Sequence, residues 1–177
     1  LLFLGDIMQH DLQIQSASIS ETGEYDFSSQ FKYVKAIFDT TDVVVGNLEV
    51  TLGGPPYKGY PRFSSPDALA YAIKEAGIDY LGTANNHMYD KGKKGFERTL
   101  NLLDSLGFKR TGCFLNEEDK KKNHPMIIEE KDFRIALFNY TYGMNGFEAQ
   151  APNIVNRLRP DEIKKDLRQV WIQGVFF

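Results

Sequence analysis

A single cysteine, Cys113, excludes an internal disulfide and any cysteine-based zinc site. Such scarcity suits a cytoplasm and a bacterial envelope equally, and the lone thiol reads as a small buried residue rather than a nucleophile. Histidine is almost as rare, with His10, His87 and His124 making up the full set. No apolar run approaches the roughly 20 residues needed to span a bilayer. The net charge of −3 leaves no electrostatic footprint for nucleic acid. Basic residues fall in short mixed runs, such as EEDKKK at 117–122, which read as a solvated loop.

What is present is an ordinary folding composition: 177 residues, 42% hydrophobic and 25% charged, enough for one domain with a real core. The chain starts inside the apolar run LLFLGD and stops inside GVFF, where natural termini are usually polar and frayed. The expectation is a single domain over 1–177 that is incomplete at both ends, compatible with a secretion signal ahead of it.

Leu1 to Leu4, closed by Gly5-Asp6, reads as a buried strand. Phe31, Val34, Ile37 and Phe38 recur at helical spacing, so 28–39 reads as an amphipathic helix. Val43 to Val45, stopping at Gly46-Asn47, is a second buried strand. GGPPYKGYP at 53–61 is too rich in Gly and Pro for regular structure. Ser65-Pro66-Asp67 opens a helix with serine as cap, Leu69, Ala72, Ile73 and Ala76 lining one face and Gly77 ending it. Ile78 to Gly82 is a third strand. Gly92 to Gly107 is a helix with Phe96, Leu100, Leu103 and Leu106 as its stripe, followed by a short strand near 108–111. Met126-Ile127-Ile128 and Phe133 to Phe138 flank EEKD as a β-hairpin. Asp161 to Trp171 is a last helix and Gly174 to Phe177 a last strand. Phe133, Phe138, Tyr140 and Tyr142 alternate as core and sheet-face residues do. Alternating strands and helices predict an α/β layered fold with a mostly parallel sheet, and a hairpin in its middle argues for a mixed sheet.

Active sites of such sheets lie at the carboxyl ends of the strands. Three strands deliver polar clusters there: Gly5-Asp6, Gly46-Asn47-Leu48-Glu49 and Asn85-Asn86-His87. Asp6, Glu49, Asn86 and His87 are oxygen and imidazole donors of the kind that suit Mn, Fe, Zn or Mg. Each cluster taken singly is also what a plain turn looks like, because Asp and Asn bond to their own backbone after strands. Convergence of three on one edge favours a site.

GDIM at 5–8, GNLE at 46–49 and NNHMYDKG at 85–92, with YPRFSSP at 60–66 and FNYTYG at 138–143, resemble the bacterial capsule-synthesis family, termed CapA or PGA_cap. That family is associated with poly-γ-glutamate, and its domain resembles the calcineurin-like metallophosphoesterases. The resemblance covers essentially the whole chain. It implies a layered sandwich of mixed β-sheets flanked by helices, α/β (α+β) in class, of which the N-terminal part is present here. It also implies one or two divalent metal ions (Mn, Fe, Zn or Mg) at the strand ends, with Asp6, Asn47, Glu49 and Asn86 as metal ligands and His87 as the acid for the leaving group. Two positions depart from the phosphoesterase pattern. Met8 stands where a histidine belongs, and Asn47 where a bridging carboxylate belongs. His10 or Gln9 is placed to replace the missing imidazole in part, or else to form a solvated loop; His124 reads as structural.

The resemblance implies metal-assisted hydrolysis at phosphorus or an acyl carbon. Asp90 is placed to orient His87, or to cap the helix that starts at Gly92. Lys58, Tyr60 and Arg62, with His10, are candidate binders of an anionic substrate, on a loop that reads equally as plain surface. The expected partners are an anionic polymer such as poly-γ-glutamate, or a phosphorylated substrate, together with membrane-associated capsule-synthesis proteins; no nucleic acid is expected. The expected place is the bacterial cell envelope, extracytoplasmic, with membrane anchoring through a segment not in this chain. The alternative expectation is a non-catalytic polymer-binding or assembly component that retains the fold.

Overall fold

A sheet whose strands follow one another in sequence order must carry all its right-handed crossovers on one face. The computed structural model, which describes residues 1–172, is built on that constraint. In chain order its elements are β1 (Leu2–Ile7), α1 (Asp11–Ser16), α2 (Ser28–Phe31), α3 (Lys35–Phe38), β2 (Val44–Leu48), α4 (Ala68–Ala76), β3 (Tyr80–Gly82), α5 (Gly92–Ser105) and β4 (Lys109–Thr111). There follow β5 (Cys113–Phe114), α6 (Glu117–Asn123), the hairpin β6 (Met126–Glu130) and β7 (Phe133–Leu137), then β8 (Ile154–Val155) and α7 (Pro160–Ile172). The strand expected at 174–177 lies outside the described residues.

Strands β1-β2-β3-β4 form one sheet in that order, every pair parallel. On one face Leu2, Leu4, Val44, Leu48 and Leu81 meet Phe38, Leu69, Ile73, Ala76 and Leu103 of the helices. On the other face Val43 and Val45 are covered by Met126 and Ile128 of the hairpin. The result is three layers, helices over a parallel sheet over an antiparallel pair. A layered mixed α/β fold is what the strand and helix pattern predicts. Among the described residues the four-stranded sheet is all parallel rather than mixed: the hairpin stands apart as its own two-stranded sheet, and β5 pairs with β8.

Several local expectations change. The helix over 28–39 is broken into α2 and α3, and of its expected apolar stripe Val34 and Ile37 are exposed, leaving Phe38 as the buried anchor. Ser65 does not cap α4; it is fully buried, and its hydroxyl has no partner among the described residues. The charged run at 117–122 is helical, not a loop. Asn116 caps α6 by accepting from the Asp119 N–H at 2.9 Å, with acids in the first turn and lysines in the last, as the helix dipole favours. Phe133 and Tyr142 are 69% and 72% exposed and belong to no core, whereas Phe138 and Tyr140 stack on each other beside His124. Cys113 is fully buried, and burial pushes its thiol up to about 12, so it is inert as a nucleophile.

Gly112 joins β4 to β5 with φ +103°, where side chains are strained. An added Cβ would strike the Asn139 side chain and the backbone of Ala84. Asn139 Oδ1 in turn accepts the Ala84 N–H at 2.5 Å, one residue before the polar corner. Gly112→Ala is therefore expected to destabilise the fold by about 2–4 kcal/mol, from backbone strain plus overpacking. The urea unfolding midpoint measures it; an unchanged midpoint would mean that the corner is looser than described.

Candidate functional site

Parallel strands β1, β2 and β3 end on the same edge, and an irregularity in β1 sharpens the meeting. Phe3 pairs with Val45 but Asp6 pairs with Asn47, so β1 holds one extra residue between them. Such a bulge re-aims the side chain that follows it. Asn47 Nδ2 then donates to Asp6 Oδ1 at 2.8 Å and to Glu49 Oε2 at 2.9 Å. One amide thus ties two carboxylates together.

Asn85 connects this carboxylate group to the corner after β3. Its Nδ2 donates to the Leu48 carbonyl at 2.8 Å and to Asn47 Oδ1 at 3.2 Å, while its Oδ1 accepts the His87 N–H at 3.1 Å. Asn47 therefore offers its nitrogen to the carboxylates and its oxygen to Asn85. Nothing in the sequence pattern distinguished Asn85 from the turn around it.

His87 and Asp90 are 8% and 4% exposed, and His87 Nδ1 lies 2.8 Å from Asp90 Oδ2. The same Oδ2 accepts the Phe63 N–H at 2.8 Å. Asp90 therefore anchors the imidazole and the Gly/Pro-rich loop together, and its carboxylate does not cap α5. The Phe63 ring stands edge-on to His87, centroids 4.7 Å apart, and also meets His10 edge-to-face at 5.4 Å. Both histidines thus pack on one ring, and His10 stacks on Tyr60 at 6.4 Å. The loop is held by Ser64 bridging to Lys58 and Thr51, and by Gly59 N–H donating to Asp11 Oδ1 at 2.6 Å.

Tyr60, Arg62, Asn86, His87 and Asp90 line a cavity of about 370 Å³, closed on the other side by Asn145 and Phe147. Lys58 lines an adjoining recess that shares Arg62 and Asp90. Arg62 packs over the Phe147 ring at 5.1 Å. Asn145 Nδ2 lies 3.4 Å from His87 Nδ1, and Asn145 takes φ +49° in the turn Met144-Asn145-Gly146. Sequence reasoning missed Asn145 and Phe147; an Asn-Gly pair was the available signal. Since Nδ1 is committed to Asp90, Nε2 is the nitrogen free to exchange a proton with a ligand.

Burial pushes the Glu49 carboxyl up, the neighbouring Asp6 adds to this, and His87 and Asn47 oppose it. Burial likewise pushes Asp90 up, against the Phe63 N–H, His87 and Arg62. Among the described residues no three His, Cys, Asp or Glu side chains gather as a metal site. The pair Asp6 and Glu49, with amide oxygen as further donor, has the chemistry for one hard divalent cation, and a cation would relieve their repulsion. A pair of ions would need more negative charge than Asn47 leaves there.

A raised carboxyl makes the folded protein hold a proton more tightly than the unfolded chain. Between the ordinary carboxylate range and the raised value, stability then falls as pH rises. Glu49→Gln is expected to flatten this slope above the ordinary carboxylate range and to raise the thermal midpoint at neutral pH in chelator. Thermal unfolding against pH checks it; a midpoint lowered by the substitution would contradict the repulsion between Asp6 and Glu49.

Comparison with known proteins adds the following. The family described as "Bacterial capsule synthesis protein PGA_cap" matches residues 1–172. The capsule biosynthesis protein CapA of Bacillus anthracis is 29% identical over 129 residues, covering 68% of this chain and 30% of its own length. Two uncharacterized proteins of Sinorhizobium fredii, y4sH and y4uA, are each 27% identical over 118 residues, covering 62% of this chain and 25% of their own. The chain thus spans between a quarter and a third of the length of these curated relatives.

Proposed function

The chain belongs to the PGA_cap family of bacterial capsule synthesis proteins, and we propose that it carries a phosphoesterase-like hydrolytic site for an anionic polymer or a phosphorylated intermediate of capsule synthesis. Poly-γ-glutamate is the polymer this reading favours, in an extracytoplasmic, envelope-bound setting with membrane-associated synthesis proteins as partners. Among the described residues no helix is long and apolar enough to cross a membrane, so this reading places the anchor in another segment.

One observation carries the hydrolytic reading: a buried His87–Asp90 pair, joined at Nδ1, lines a polar cavity rimmed by Arg62. Arg62 and Asn145 bind the anionic group, which neutralises its charge and places its leaving oxygen beside His87. As water attacks, the bond to the leaving oxygen breaks and its electron pair goes to that oxygen. His87 Nε2 takes a proton from the attacking water and passes it to that oxygen, and Asp90 holds the ring through Nδ1 while the charge changes. Asp6 and Glu49, with Asn86, would hold one divalent ion, which would supply Lewis-acid polarisation of the scissile group.

A second reading, a non-catalytic polymer-binding or assembly component, draws on a specific contact as well. The Asn47 amide already satisfies both Asp6 and Glu49, as a structural cluster without an ion would.

Full-length protein assayed on a generic phosphodiester, with added Mn and with chelator, separates the two. The hydrolytic reading predicts Mn-dependent turnover that His87→Ala lowers by about 10²–10⁴. It also predicts loss of the Mn dependence in Glu49→Gln. No turnover under either condition, with poly-γ-glutamate still bound, would establish the assembly reading instead.

A further inference from the structure

Arg62 and Asp90 line two spaces at once. Besides the His87 cavity they border a recess of about 400 Å³, whose remaining walls are Pro56, Tyr57, Lys58, Pro61 and Lys91. The two spaces together are large enough for a ligand with an arm in each.

The recess has walls of two kinds. Pro56, Tyr57 and Pro61 contribute rings; the two prolines are exposed and Tyr57 is half-buried. Tyr57 stands edge-on to Tyr25, centroids 5.4 Å apart, and burial pushes its hydroxyl up, so the phenol stays neutral. Lys58, Arg62 and Lys91 supply three cations that solvent reaches, and among the described residues none of them is ion-paired. The neighbouring acids are already committed. Asp90 Oδ2 is held by the Phe63 N–H and His87, and Asp67 by Arg98 through two hydrogen bonds of 2.7 Å. The recess therefore combines apolar rings with a surplus of positive charge.

Lys91 is built into this position. Its stem runs between two glycines: a Cβ on Gly53 would stand 2.8 Å from Lys91 Cγ, and one on Gly95 would strike Lys91 Cβ. Gly53 and Gly95 thus leave the room in which the stem is packed, and a lysine with a packed stem has fewer places for its ammonium head. Lys91 also follows Asp90 directly in the chain. The corner that carries His87 therefore supplies a cation to the neighbouring recess as well.

We propose that the recess is the specificity site of the protein, taking a ring-bearing arm of a phosphate ester whose phosphate lies on Arg62 beside His87. Tyr57 and the prolines pack on the ring, while Lys58 and Lys91 add to Arg62 in holding the oxyanion. Of the two substrate classes named above, this favours the phosphorylated intermediate. A ring next to an oxyanion has two sources, an aromatic phosphate and a glycosyl phosphate, because the faces of both rings pack on tyrosine and proline. Seating of the phosphate beside His87 is taken from the functional reading above; turnover is not required for binding.

Calorimetric titration of the full-length protein in chelator tests the assignment with three probes: phenyl phosphate, glucose 1-phosphate, and methyl phosphate, which has the charge but no ring. At least one ring phosphate is expected to bind about tenfold more tightly than methyl phosphate, and the tighter of the two identifies the ring. Tyr57→Leu is expected to cut that preference about fivefold. Lys58→Gln combined with Lys91→Gln is expected to weaken the ring phosphate about threefold at low salt, with the thermal midpoint unchanged. Methyl phosphate bound as tightly as both ring phosphates, no binding of any probe, or affinity for the ring phosphate unaltered in both variants would each overturn the proposal. Ring phosphates bound as expected, without turnover in the Mn assay, would sustain the recess and remove the hydrolytic reading alone.

Discussion

The candidate site depends on one buried carboxylate. Asp90 Oδ2 accepts from the Phe63 backbone and faces His87 Nδ1, both at 2.8 Å, with almost no exposure to water. Hydrogen bonds to a charged group are worth about 1.5–3 kcal/mol each, enough to offset part of the cost of burying Asp90. Through Phe63 this carboxylate fixes a loop whose Gly and Pro residues form no regular structure, and the loop brings Tyr60 and Arg62 to the cavity. Through His87 it selects which imidazole nitrogen is left free. Loop and ring are therefore positioned by the same atom.

Around this anchor the site has two parts of different character. The corner at 85–90 is mostly buried, and its His87–Asp90 pair is closed by a hydrogen bond. The carboxylates Asp6 and Glu49 lie nearer solvent and depend on an amide, Asn47, to hold them together. Asn85 is the physical link between the parts, bonding to Asn47, Leu48 and His87 at once. A change in the charge at Asp6 and Glu49 has a direct route to His87 through it.

Much of this could be read from residue patterns. The apolar runs ending at Gly5, Gly46 and Gly82 are strands, and the stripes of α4 and α5 are buried as their spacing predicts. Meeting of their polar clusters follows from parallel topology alone, because parallel strands share a carboxyl edge. Other features rest on information that spacing does not carry. The charged run 117–122 looks like solvated loop until Asn116 is seen to cap it. The hairpin reads correctly as a hairpin, but its position over Val43 and Val45 is a tertiary choice. Asn145 and Phe147 come to His87 from more than fifty residues away in sequence, and the turn pair Asn145-Gly146 says nothing of where it packs. Asn47 is the subtlest: its identity is a departure from the phosphoesterase pattern, but only the geometry reveals it bonding to both carboxylates.

The tautomer of one ring decides whether Asp90 orients His87. Nitrogen-15 NMR of His87 at neutral pH, in protein without added ligand, reads directly which imidazole nitrogen carries the proton. Asp90 at 2.8 Å from Nδ1 predicts a proton on Nδ1, with Nε2 left free. A neutral ring protonated on Nε2 alone would contradict the account, since Asp90 would then not be the group that orients His87.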